Sequence, residues 1–173
     1  MCGGKEMNIH GLHRGMVLPV ALLALLVPAT VSHGQALLVV VEETLNGATL
    51  QPPLSAREGL AATLFDDGLV VLDLPGGSTA DMDQLSRTAA SAGADYVLAV
   101  SVTYTATGGD LPVIRGHASY RLAGVPGGAL LLQSSTDVSN QGREKSVDRN
   151  GVGEEIGQAI AGKAWDTLRT MAR

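Results

Sequence analysis

Sulfur is nearly missing from this chain. Its single cysteine, Cys2, precedes an apolar run near the N-terminus, and none follows that run. Everything downstream is therefore without disulfides, thiolate nucleophiles and thiolate metal ligands, and no cysteine after the run is there to take a lipid. Aromatic residues make up only 3% of the chain, so its core has to be aliphatic and built from many small contacts. Basic residues are also too few and too scattered to make a nucleic-acid face. The net charge is −5, with no long run of either sign, which excludes the phosphate-neutralising surface that such partners require. It argues equally against attachment to an anionic membrane surface.

What is present is enough for one domain. A length of 173 residues supports a core of its own. The N-terminus has the layout of a secretory signal peptide. Lys5, His10, His13 and Arg14 make a basic start, and Met16 to Val27 is apolar apart from Pro19. Pro28, Ala29, Ser32 and Gly34 then supply small residues. Residues 1–35 are expected to be the signal, cut between Ala29 and Ala36, leaving 36–173 as a periplasmic or secreted domain. The apolar run is short for a membrane span. Left uncleaved, it would act as an anchor instead. Translation from Met7 or Met16 is open on the sequence alone.

The mature region reads as strand, helix, strand, helix, three strands, helix. Ala36 to Val41 is a continuous apolar run of strand length, closed by Glu42 and Glu43. The same run read as part of the signal would move cleavage downstream. Asn46-Gly47 marks a turn within a loop that reaches Pro53. Ser55 with Glu58 reads as a capping box opening a first helix, with Leu60 and Leu64 on its inner side. Leu69 to Leu74 is the second strand. Ser78 or Thr79 caps a second helix, with Asp81 and Asp83 in its first turn. Gly93 closes that helix, and a central strand covered on both faces follows from Tyr96, ending near Thr107-Gly108-Gly109-Asp110. Val113 to Leu122 and Ala129 to Val138 complete an antiparallel meander about a Gly124–Gly128 turn. Ser139 to Gly151 is a polar surface loop. Val152 to Met171 is a last helix whose apolar stripe is Ile156, Ile160, Ala164, Leu168 and Met171.

The usual chemical signatures are missing. No Gly-x-Ser-x-Gly elbow surrounds any serine. His117 is the one histidine beyond the expected signal, and a Ser-His-Asp set built on it would have to be shown by geometry. Asp66, Asp67, Asp73, Asp81 and Asp83 flank two loops and could offer oxygen ligands to calcium or magnesium, but no EF-hand spacing is present. Pro75 to Thr79 is a glycine-rich turn before a helix, without the lysine of a phosphate-binding loop. The dinucleotide fingerprint is missing too. Glu42-Glu43 and Glu154-Glu155 are neighbours in sequence only. On a strand such neighbours point to opposite faces, so they give no acid–base pair. The reading therefore assigns no catalytic residue, no cofactor and no metal.

Gly93-Ala94-Asp95-Tyr96 running into Val97 to Val102 resembles the signature of a group of bacterial envelope domains. The group takes in the curli-secretion protein CsgG, the penicillin-binding-protein activator LpoB, the N-terminal domain of TolB and flagellar assembly proteins such as FlgT. Tyr120-Arg121-Leu122, the Gly127-Gly128 turn and Leu130-Leu131-Leu132 fall in the same order. The resemblance runs from about Leu37 to the C-terminus and is to the bare domain, without lipidated cysteine, barrel-forming insertion or propeller. It implies one α+β domain, a mixed sheet with helices mainly on one face. It also implies a non-catalytic, exported protein–protein interaction or assembly module, partnered by an envelope protein or by itself, with no stable membrane insertion. A small-ligand or ion-binding accessory domain is the alternative.

Overall fold

A run that is apolar on both sides belongs in the middle of a sheet, and Tyr96–Thr107 lies there. In this computed structural model, residues 35–50, 55–74, 78–108, 113–141 and 149–171 are described. The expected signal lies outside them apart from Gln35, as do Pro75 to Gly77 and most of the expected loop after Ser139. The elements are β1 (Ala36–Leu45), β2 (Ala48–Thr49), α1 (Ser55–Asp66), β3 (Val70–Asp73), α2 (Met82–Ser91), β4 (Tyr96–Thr107), β5 (Val113–Gly124), β6 (Leu130–Ser139) and α3 (Arg149–Met171). Strands run in the order β3-β1-β4-β5-β6, with β2 folded back on the end of β1. β1 is parallel to both β3 and β4, while β4, β5 and β6 form the antiparallel meander. This is the expected α+β domain on a mixed sheet, with β2 added by the turn at Asn46-Gly47.

The two sheet faces are covered unequally. Leu98, Val100, Val102 and Tyr104 of β4 join Leu37, Val39 and Val41 of β1 under α1 and α3. Val97 and Ala99 join Leu38 and Val40 on the other side, under Leu85 and Ala89 of α2. α2 has 10 residues against 12 in β4. At about 1.5 Å per helical residue and about 3.3 Å per strand residue, the helix spans less than half the strand. Among the described residues the second half of β4 is therefore left uncovered on the α2 side, where the sequence had suggested cover on both.

Gly93 ends α2 as expected, with φ +75 and no atom within 4 Å of an added Cβ. Asp95 then clamps the sheet. Ala36 N donates to its Oδ2 at 2.9 Å, and its own N donates to the Ala36 carbonyl at 2.8 Å. Asp95 thus ties the entry of β4 to the start of β1 through backbone groups. Gly93→Ala is expected to cost about 1 kcal/mol through backbone strain alone. Val100→Ala, in the core, should cost about 1–3 kcal/mol. Urea unfolding checks both, and a silent Val100→Ala would remove β4 from the core.

Several boundaries moved for reasons the fold supplies. β1 does not stop at Glu42-Glu43 but continues to Leu45. Glu43 is only 1% exposed, and its Oε1 accepts from the backbone amides of Ala56 and Arg57 at 3.1 and 3.4 Å. The start of α1 is thus met by a carboxylate from β1 rather than by a Ser55–Glu58 box. Ser55 Oγ donates to Glu43 Oε2 at 3.5 Å and lies 3.4 Å from the Tyr104 hydroxyl. Burial pushes the Tyr104 hydroxyl well above the ordinary tyrosine value; the nearby Glu43 carboxylate pushes the same way, and the Ser55 hydrogen bond opposes it. α2 is capped by Asp81, whose Oδ1 accepts from Gln84 N at 3.0 Å, and not by Ser78 or Thr79. α3 begins at Arg149 rather than Val152, and its buried stripe ends at Leu168, leaving Met171 exposed.

Candidate functional site

Residues directly opposite one another in a sheet share a face. The bare half of the α2 side is therefore built from rows that cross the strands. One row is Glu42, Ser101, Ser119 and Ser135, in register from β1 through β4 and β5 to β6. On one side of it runs Val40, Ala99, Arg121 and Gln133; on the other, Thr44, Thr103, His117 and Asp137. The middle row is low because serine is small. A hollow of about 570 Å³ lies there, lined by Thr79, Ser101, Ser119, Arg121, Gln133 and Ser135 among others. A second hollow of about 370 Å³ adjoins it around Thr103, Arg115, His117 and Asp137.

Arg121 stands at the wall nearest α2 and is held there. Its Nη2 donates to the Thr79 carbonyl. Thr79, itself buried, donates through Oγ1 to Glu42 Oε2 at 3.1 Å. Glu42 and Glu43 thus do point to opposite faces, one to this wall and one to the cap of α1. The ion pairs among the described residues are Arg57–Asp73 and His117–Asp137, so Arg121 meets no carboxylate within 4.0 Å among them.

The remaining sequence candidates fall as follows. His117 Nδ1 lies 2.8 Å from Asp137 Oδ1, with the two side chains 55% and 79% exposed. No serine hydrogen-bonds that ring among the described residues, so two members of a triad meet in open solvent without a nucleophile. Asp73 pairs with Arg57, Asp81 caps α2, and Asp66 lies in a groove between α1 and α3 with Glu58 and Glu154. Among the described residues no three of His, Cys, Asp and Glu gather where they could hold a metal ion, and no helix is long and apolar enough to cross a membrane. Sequence reasoning missed Arg121 and the serine row. The alternation of Arg115, His117, Ser119 and Arg121 along β5 was legible as one polar face. Which residues of β4 and β6 would stand beside them depends on register.

Fold and site together define an α+β domain whose mixed sheet is covered on one face and half bare on the other. No family model matches the chain, and no curated protein matches it. Solved structures do. The hypothetical protein CT253 of Chlamydia trachomatis aligns with a TM-score of 0.55 at 13% identity, covering 79% of this chain and 99% of that one. The PelC dodecamer of Paraburkholderia phytofirmans aligns at 0.51 and 18% identity, covering 73% of this chain and 86% of PelC. Protein XCC0632 of Xanthomonas campestris gives 0.51 at 12% identity, covering 80% and 87%. At such identities the likeness establishes a common fold alone. TolB of Acinetobacter baumannii and the LpoB C-terminal domain of Escherichia coli, expected from the Gly93–Tyr96 stretch, align at TM-scores of 0.43 and 0.40. Scores at that level carry no argument about this chain.

Proposed function

We propose that this chain is a non-catalytic module of the bacterial cell envelope, exported behind residues 1–35 and working by association with another envelope protein or with further copies of itself. The reading assigns it no catalytic residue, cofactor or metal. The observation that carries it is the outer edge of β6. That strand has 10 residues and pairs with β5 alone among the described residues. Exposed edges are normally blunted by lysine, proline or a short strand. β6 contains neither lysine nor proline, its one charge is Asp137, and Leu130 at its start is 55% exposed. Such an edge suits strand addition by a partner. A protein of the same fold, PelC, is a dodecamer, which makes self-association a specific form of this reading.

Light scattering of the full chain, beside cross-linking in the envelope of the producing cell, tests it. The chain should run as an assembly or retain a cross-linked envelope partner, and Leu130→Lys should weaken that association by placing a charge on the edge. A chain that stays monomeric, with identical cross-links before and after the substitution, would remove the β6 edge from the account.

A further inference from the structure

The β6 edge leaves the hollow beside Arg121 unexplained. We propose that this hollow binds an oxyanion, the carboxylate or phosphate of a small ligand, with Arg121 as its anchor. A guanidinium carries five N–H donors in a fixed fork that matches such groups bidentately. Here the Thr79 carbonyl holds Nη2, and Glu42 holds Thr79. The side chain's rotamer entropy is thus lost before any ligand arrives, the condition under which a charged hydrogen bond contributes most to affinity. No carboxylate lies within 4.0 Å of Arg121 among the described residues, Glu42 reaching it only through Thr79. The serines of β4, β5 and β6 stand in register beside it and bring hydroxyls to the floor of a space of about 570 Å³. Gln133, opposite Arg121 on β6, adds an amide. Tyr120 borders the hollow, but its ring, 1% exposed, lies with Tyr104 in the helix-side core, and Tyr96 and Trp165 pack against that core. Among the described residues the hollow therefore offers no exposed ring on which a neutral ring would stack, and its fixed charge selects an anion.

Backbone NMR of the full chain, titrated with inorganic phosphate and separately with acetate, tests this against sodium chloride at matched ionic strength. Saturable shifts are expected at Ser101, Ser119, Gln133 and Ser135. A response to one anion alone identifies the group recognised, and a response to both assigns oxyanions in general. Arg121→Gln should weaken the response roughly tenfold or more, the scale of a charge-assisted hydrogen bond. Ser119→Leu, which fills the floor and leaves Arg121 in place, should abolish it. An unchanged spectrum outside the hollow establishes that each variant is folded. No saturable shift at these residues with either anion overturns the proposal. So does equal binding by Arg121→Gln, or shifts that chloride reproduces.

Discussion

Gly157→Ala is expected to destabilise the protein by about 2 kcal/mol or more, while Gly162→Ala on the same helix stabilises it. An alanine is worth about 1 kcal/mol over glycine inside a helix, and both positions are offered that gain. At Gly162 an added Cβ has nothing within 4 Å, so the gain stands. At Gly157 it would lie 2.3 Å from the Ala56 carbonyl oxygen and 2.5 Å from Leu60 N. Both are backbone atoms of α1 and cannot rotate away. The helices must separate, and overpacking of that kind costs about 1–3 kcal/mol or more. Separation would also loosen the cluster that α1 and α3 make with the sheet, including Leu60, Leu64, Ile156 and Ile160. Urea midpoints of the two variants should move in opposite directions. Movement in the same direction would mean that α1 and α3 do not meet at Gly157.

Glu43→Ala should cost about 3 kcal/mol or more. The carboxylate is the acceptor for the Ala56 and Arg57 amides and for the Ser55 hydroxyl. Losing a helix cap costs about 1 kcal/mol, and each buried polar group left without a partner costs about 1–3 kcal/mol. Glu43→Gln retains an acceptor at the helix start and loses only the favourable charge at the positive end of α1, about 1 kcal/mol. The ordering alanine well below glutamine, read from thermal or urea unfolding, is the expected result. Two variants of equal stability would show that the cap of α1 comes from elsewhere.

Those two positions mark where local reading ended. Glycine inside a helical stripe is locally unfavourable, and nothing in the periodicity of α3 singles out Gly157. It is the contact itself, because backbone approaches backbone only where no Cβ intervenes. Glu43 looked like a strand terminator because a carboxylate is rarely buried. Its partners are 13 and 14 residues on, beyond any capping pattern. Asp81 took the cap expected of Ser78 or Thr79 while Thr79 donates to Glu42, a residue of β1.

The amino-acid sequence by itself determined the order and type of the elements other than β2, the central place of β4 and the closing role of Gly93. Each of these depends on periodicity, turn chemistry or φ preference within a few residues. Only the tertiary structure decided which face stays open and which residues stand together on it. Those follow from strand register and from the short reach of α2 along β4, both set by how distant segments dock. Ser101, Ser119 and Ser135 are unremarkable in sequence. They become one row beside a fixed Arg121 because three strands align them, and no local pattern encodes that alignment.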